Sequence, residues 1–330
     1  MSATTRIVIV GTGGTIASRY DPAQGRTVAS QEVERIVALL PGTRGLPDLE
    51  FDNFATVPSF NMTAAFAHQL MQHVAAVLRR GDVDGVVVTQ GTDTLEETSF
   101  LADLLIDGPK PVVFTGAQLA HDHPQSDGPR NLLDSIRAAA ADAVRGLGVL
   151  ACFNGELHAA RDVTKVHTSA IETFQSYGHG AVGVVDGEEV VIYRRPQLRI
   201  HLTPLDLSKR VPLIKAVMGI DDEVLDPILA TGIDGLVVEA FGRGNLSAEL
   251  GKRLVRVCGD GVPVVVTSRC PSGRVMPIYG GGGGGRDLED AGVIFSGHLK
   301  GPKARLLLMA ALADPEARPK LRDLFRAIAP

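Results

Sequence analysis

The stretch Gly85–Thr89, GVVVT, narrows what this chain can become more than any other segment. It carries no charge and shows no in–out alternation, so a strand formed here must be buried on both faces. Such strands belong in parallel sheets covered by helices on each side. The pattern recurs along the chain. Arg6–Val10 is a short β-branched run that ends in a glycine-rich turn, Leu49–Thr56 is strand-like, and Pro111–Thr115 and Gly148–Phe153 are further apolar runs. Helical patterns separate them. Ser30–Leu40 is closed by Pro41-Gly42, and Asn61 is placed to cap a helix running to Arg80. In that helix Phe66, Leu70, Val74, Val77 and Leu78 share one face. Thr94 and Glu97 form a capping-box pattern for Leu95–Ile106, and Pro129–Ala143 is a further helix. Strand and helix in alternation predict a parallel α/β sheet.

The pattern changes at Ala181–Tyr193 to short β-like pieces with turn glycines. Arg194–Arg210 is polar and aperiodic. A second alternating series follows: Leu213–Val217, Asp221–Ala230, Gly235–Ala240, Ser247–Cys258, Pro263–Ser268, Val293–Ser296 and Lys303–Leu312. The expected fold class is therefore α/β, with a larger N-terminal parallel-sheet domain over residues 1–193, a linker over 194–210 and a smaller C-terminal α/β domain over 211–330. Two domains also suit 330 residues, 45% of them apolar. The glycine run Gly280–Gly285 reads as a flexible surface loop, or as a mobile segment over a site.

A net charge of −5 and a pI near 6.0, without a long basic run, leave no footprint for nucleic acid or a membrane surface and favour a small diffusible ligand. Cys152, Cys258 and Cys270 are odd in number and lack CxxC spacing, which argues for reduced thiols rather than disulfides or zinc. The sequence MSATTRIVIVGTGG leads straight into a strand without a secretory h-region, and no apolar run approaches the ~20 residues of a membrane span. The expectation is a cytoplasmic protein.

In open parallel sheets ligands bind beyond the carboxyl ends of the strands. Two motifs fall there. Gly11-Thr12-Gly13-Gly14-Thr15-Ile16-Ala17 follows the first strand. Gly11 and Gly13 fit the dinucleotide fingerprint GxGxxG, but Ile16 occupies the third glycine position and no acid ends a second strand about 20 residues on. The glycines instead let backbone approach a ligand while Thr15 presents a hydroxyl. Thr89-Gln90-Gly91-Thr92-Asp93-Thr94 follows the buried strand and opens a helix, where Thr94 serves as cap and leaves Thr92 and Asp93 spare. The third motif, Arg161-Asp162-Val163-Thr164-Lys165, alone reads as a solvated ion-pair face. Together they make chemical sense. A threonine hydroxyl is a poor nucleophile and needs a base; a lysine can be that base when burial or neighbouring charge lowers its pKa; and a carboxylate can orient the lysine or hold a substrate ammonium. Backbone N–H groups of the glycine turn or the helix start suit an oxyanion. His121-Asp122-His123 has the look of a metal pair, but Pro124 and the absence of a third ligand at suitable spacing make it a polar loop.

In this order, GTGGTIA, TQGTDTLEETSF, SDGPRNLLDS, ARDVTK and GRGNL resemble the bacterial L-asparaginase family, over roughly residues 6–312. The resemblance implies hydrolysis of L-asparagine to L-aspartate and ammonia through a β-acyl-threonine intermediate, with no metal or organic cofactor. It also implies a homotetramer built as a dimer of dimers. By position, Thr15 matches the nucleophile and Thr92 a second catalytic threonine that works with Lys165 and Asp93. Asp93 also matches the residue holding the substrate α-amino group, Ser59 one that binds the α-carboxylate, and Asn245 one contributed across the dimer. Gly14 and Gly91 would face the substrate. Three positions depart from the family pattern. Arg26 stands where a tyrosine often helps activate the nucleophile, Phe60 where glutamine is frequent, and no acid lies near Tyr279–Gly280, where a neighbouring subunit's glutamate is expected. Tyr279 or Tyr20 is a candidate replacement for the missing tyrosine, and Gly14–Ala29 a candidate lid. These departures keep open a glutaminase-asparaginase or a broader or D-amino-acid amidase. A non-catalytic amino-acid or nucleotide-binding protein is the alternative from another class.

Overall fold

Strand β1 (Arg6–Gly11) occupies the pivotal place in the larger sheet, with β4 (Asp48–Asn53) on one side and β5 (Gly85–Thr89) on the other, both parallel to it. The computed structural model describes residues 5–14, 16, 18–21, 26–29, 37, 45–196 and 199–329, and only the backbone of 18–21 and 26–29. The chain divides into two compact units, Met1–Arg199 and Ile200–Pro330.

In the first unit β5 is followed across the sheet by β6 (Val112–Thr115) and β7 (Val149–Phe153), again parallel. Every residue of β5, β6 and β7 is buried, as their unbroken apolar composition requires. The sheet then changes character. β8 (Glu156–Ala159), β11 (Gly183–Asp186) and β12 (Glu189–Ile192) add antiparallel, giving the eight-strand order β12-β11-β8-β7-β6-β5-β1-β4. The parallel sheet expected from the sequence is present, and these strands add an antiparallel end to it. Two-residue turns at Asn154-Gly155 and Gly187-Glu188 explain this, because such tight links can only join antiparallel strands. Asn154 has φ +50°, the one non-glycine residue with positive φ among the described residues. Two further pairs lie outside this sheet: β2 (Ser18–Asp21) with β3 (Arg26–Ala29), and β9 (Thr164–Lys165) with β10 (Phe174–Gln175), both antiparallel. The segment Gly14–Ala29, expected to be a lid loop, therefore contains a hairpin.

Helix Ala64–Leu78 buries Ala67, Leu70, Met71, Val74, Val77 and Leu78, a stripe at helical spacing. Its cap is Thr63 rather than Asn61: the Thr63 hydroxyl accepts from the Phe66 N–H, worth about 1 kcal/mol to the helix. Asn61 instead ends a single 3-10 turn, Ser59–Asn61. Helix Leu95–Leu105 begins after Thr94, whose side chain makes no cap bond; its hydroxyl donates to the Ser59 carbonyl at 2.9 Å. The hydroxyl half of the expected capping box gives way to a long-range contact. The helix expected over Ser30–Leu40 lies, apart from Val37, outside the described residues.

The second unit repeats the plan on a smaller scale. β13 (Leu213–Lys215), β14 (Leu236–Ala240), β15 (Val264–Ser268) and β16 (Ile294–Phe295) form one parallel sheet in chain order. Helix Ala248–Gly259, capped by the Ser247 hydroxyl, packs Leu250, Leu254 and Val257 into its core. Helix Gly301–Ala313 is buried along nearly its whole length, and Leu321–Ile328, which sequence pattern does not single out, closes the chain with Phe325 and Ile328 buried. The glycine run is packed only in its second half, while Gly280, Gly281 and Gly282 are exposed. Gly283, Gly284 and Gly285 are buried, and a Cβ on Gly284 would stand 2.1 Å from the Tyr279 carbonyl oxygen. Those glycines answer a steric need of packing, and helix Gly285–Asp290 starts within the run.

Candidate active site

The strand order places a switch point in the first unit. After β1 the chain goes to β4 on one side, then crosses to β5 on the other, so the loops leaving β1 and β5 diverge and open a crevice at their carboxyl ends. Both threonine motifs leave from there. The sheet register aligns Gly11 with Thr89, and the Thr12 N–H and hydroxyl both bond the Thr89 carbonyl, at 3.0 and 2.9 Å. The two loops therefore depart side by side.

Glycine makes their contact possible. Gly14 has φ +93°, and a Cβ there would lie 2.2 Å from the Gly91 nitrogen; a Cβ on Gly91 would lie 2.6 Å from Ser59 Oγ. Gly14, Gly91 and Ser59 thus meet backbone to backbone and side chain, with no room for another carbon. Ser59 is held from two sides. Its hydroxyl accepts from the Asp93 N–H at 3.2 Å and its carbonyl accepts from the Thr94 hydroxyl. Gln90, fully buried, donates to the Thr94 and Thr98 hydroxyls and ties the turn to the helix it opens.

Lys165 arrives from β9. Its Nζ donates to Thr92 Oγ at 2.8 Å and to Asp93 Oδ1 at 2.8 Å. The Lys165 side chain is 17% exposed, the Asp93 side chain 54%, and Thr92 is 6% exposed. One amine is therefore shared between a buried hydroxyl and a carboxylate that reaches toward solvent. An exposed ion pair contributes little to stability, so a stabilising role does not account for this arrangement. The Lys165 backbone N–H donates to Glu96 Oε2 at 2.6 Å. Sequence pattern does not single out Glu96, because a place in the first turn of a helix gives no sign of a partner 69 residues away.

The remaining motif residues make contacts within the fold. Asp127 accepts from the Gln118 and Leu119 N–H groups and from Asn131 Nδ2, which also donates to the Gly116 carbonyl. SDGPRNLLDS thereby shapes the loop after β6 instead of presenting reactive groups. Asp162, expected on a solvated face, has a side chain only 3% exposed and pairs with Arg194 at 3.2 Å. In the second unit, Asn245 Oδ1 accepts from the Gly285 N–H at 3.2 Å and so fastens the glycine run. Tyr279 is exposed and its carbonyl accepts from the Arg286 N–H. Thr15 lies outside the described residues, as do the side chains of Tyr20 and Arg26. Phe60, beside buried Ser59, is 72% exposed.

Of the predicted set, the structure brings together Gly14, Ser59, Gly91, Thr92, Asp93 and Lys165. A donor–acceptor chain from hydroxyl through amine to carboxylate is suited to moving a proton at Thr92 Oγ.

Family models described as "Asparaginase, N-terminal" and "Glutaminase/Asparaginase C-terminal domain" match residues 6–198 and 210–325. The chain is 39% identical over 324 residues to a probable L-asparaginase of Deinococcus radiodurans, covering 97% of each. It is 33% identical over 322 residues to a glutamyl-tRNA(Gln) amidotransferase subunit from Archaeoglobus fulgidus, covering 93% of this chain and 75% of that one. Among solved structures, it is similar to a probable cytoplasmic L-asparaginase from Campylobacter jejuni, with a TM-score of 0.88 and 29% identity, covering 98% of this chain and 99% of that one. Among the described residues, no helix is long and apolar enough to cross a membrane.

Proposed function

The chain belongs to the asparaginase family and is an amidohydrolase of the L-asparaginase type, and from that premise we propose that it hydrolyses L-asparagine to L-aspartate and ammonia with Thr15 as nucleophile. The observation that carries this reading is the contact of Lys165 Nζ with Thr92 Oγ and Asp93 Oδ1 at the switch point. Thr15 Oγ attacks the side-chain carbonyl carbon of asparagine, and its proton passes to the base. The tetrahedral oxyanion is met by backbone N–H groups of the glycine turn and the helix start. Collapse breaks the C–N bond as the base returns that proton to the nitrogen, and ammonia leaves. A water molecule then attacks the β-acyl ester, with Lys165 taking its proton through Thr92; the ester C–O bond breaks as that proton returns to Thr15 Oγ, and aspartate and free Thr15 are released. Asp93 holds Lys165 and receives the substrate α-ammonium, while Ser59 and the Gly14–Gly91 contact form the floor for the α-carboxylate. No organic cofactor or metal enters this route.

Asn245 belongs to the second unit, and in this reading it serves the site of a neighbouring copy in a dimer of dimers, with Tyr279 or Tyr20 supplying the phenol that helps activate Thr15. A cytoplasmic location follows the name of the Campylobacter neighbour. Activity in the soluble fraction after cell fractionation is its check.

A wider amide range is the second reading, favoured by Phe60, an exposed aromatic residue next to Ser59 in the chain where the family often has glutamine. Ammonia release measured on L-asparagine, L-glutamine, D-asparagine and larger amides separates the two. L-Asparagine should give the highest kcat/KM, and Thr15→Ala and Thr92→Ala should each lose at least ~100-fold in kcat. Full activity in both variants would contradict the site. Tight amino-acid binding without turnover of any amide would make the protein a binder rather than an enzyme.

A further inference from the structure

We propose that Glu96 is a positioning residue for Lys165: its carboxylate completes the open edge of β9 and thereby sets where the Lys165 amine sits. This rests on the reading of Lys165 as the base that works through Thr92. β9 has two residues and one strand partner, β10, and neither belongs to the main sheet. Successive N–H groups along a strand point to opposite sides. The Val166 N–H turns toward β10 and bonds the Thr173 carbonyl at 2.7 Å, while the Lys165 N–H turns the other way, where no strand follows among the described residues. Glu96 Oε2 takes that N–H at 2.6 Å. The β10 side is fixed independently, since Phe174 is buried and stacks on Phe153 of β7 with ring centroids 4.1 Å apart.

Lys165 is consequently fastened twice to one short segment. Glu96 holds its backbone, and Thr92 and Asp93 hold its amine. Residues 92–96 pass directly from the turn after β5 into helix Leu95–Leu105, so the hydroxyl, the carboxylate and the backbone anchor move as one piece. A base whose main chain is referenced to the same turn as its hydroxyl partner keeps its reach when the surrounding loops shift. Misplacement of a catalytic group by about 1 Å can cost ~100-fold in rate. The ordinary role of an acid in a first helical turn, favourable interaction with the helix dipole, needs only charge and is indifferent to reach.

Two variants separate reach from charge. Glu96→Gln keeps the length and an acceptor oxygen but loses the charge. Glu96→Asp keeps the charge and shortens the reach by one methylene. With L-asparagine, Glu96→Asp should lower kcat by roughly 10–100-fold with KM within about 3-fold of wild type, while Glu96→Gln should keep kcat within about 3-fold. Melting temperatures of both variants, measured alongside, should stay close to wild type. The proposal is overturned if Glu96→Asp keeps wild-type kcat, or if Glu96→Gln falls as far as Glu96→Asp. Lys165→Met is run beside them. Wild-type kcat in Lys165→Met would defeat the reading of Lys165 as base, whereas an inactive Lys165→Met with a fully active Glu96→Asp would defeat the positioning role alone.

Discussion

The two ends of the larger sheet both gather charge, and only one of them has the makings of a site. At the amino end, Arg6 at the start of β1 pairs with Asp48 and Asp82, both at 2.8 Å, and Arg80 grips Glu50 through two nitrogens at 2.5 and 2.7 Å and Asp82 at 2.9 Å. At the carboxyl end, Lys165 meets Asp93 at 2.8 Å, a distance no different. The distinction lies in what else is present. In the amino-end network each carboxylate faces a guanidinium, and arginine is charged at every accessible pH, so no proton can move. At the carboxyl end the same kind of pair is shared with a buried hydroxyl, on an amine instead of a guanidinium. The crossing from β4 to β5 supplies the crevice, and Gly14 against Gly91 supplies the close approach. Short ion-pair distances alone therefore do not mark a site; the proposed one adds a buried hydroxyl at a point where the strand order reverses.

Substitutions at the two ends should diverge accordingly. The largest effect is expected from Gly14→Ala, which must place a carbon 2.2 Å from the Gly91 nitrogen at φ +93°. Both the overlap and the backbone conformation are unfavourable, by about 1–3 kcal/mol each, and the turn has to move away from Thr92. A loss of at least ~100-fold in kcat/KM for asparagine, measured on protein that remains folded, is the expected outcome. Near-native kcat/KM would mean that the contact between the two loops is incidental. Arg80→Met, at the opposite end, should lower the melting temperature slightly and leave kcat and KM unchanged, because its partners are half exposed and far along the strands from the reacting groups. A kcat loss there would erase the contrast.

The smallest effect is a pH dependence. Hydrogen bonds from Arg80, with help from Arg6, hold the Asp82 carboxyl at about 2, below the ordinary carboxylate range. Its folded pKa is thus depressed, so its contribution to stability is complete above the unfolded value of about 4 and disappears as pH falls toward about 2. Thermal melts of Asp82→Asn between those limits should show a shallower loss of stability with falling pH than wild type. Parallel curves would assign the acid sensitivity to other carboxylates.

Much of this is legible in the sequence, for reasons that separate local from distant causes. β5, β6 and β7 can be read because burial on both faces leaves a purely apolar signature. Thr92 and Asp93 can be read because they sit in a short motif at a strand end, whereas Lys165 is read through the family resemblance, since its own motif looks like a solvated face; the structure brings all three within hydrogen-bond distance. What escapes depends on partners far along the chain. Thr94 has the pattern of a cap, yet its hydroxyl is drawn to Ser59; Glu96 has the pattern of a first-turn acid, yet it holds Lys165. Asn61 loses the cap to Thr63 because a 3-10 turn intervenes before the helix. The glycine run is read only in part because glycine serves freedom and tight packing equally: Gly280–Gly282 are exposed, and the carbonyl of Tyr279 beside Gly284 shows the packing of the rest.

Thr15 is the residue proposed to take the acyl group, and one measurement addresses that role directly. Enzyme turning over L-asparagine can be quenched in acid, digested and mapped by mass spectrometry. A β-aspartyl ester on the peptide containing Thr15, absent from Thr15→Ala, is the predicted result. An ester found on Thr92 instead, or an active Thr15→Ala enzyme, would contradict it.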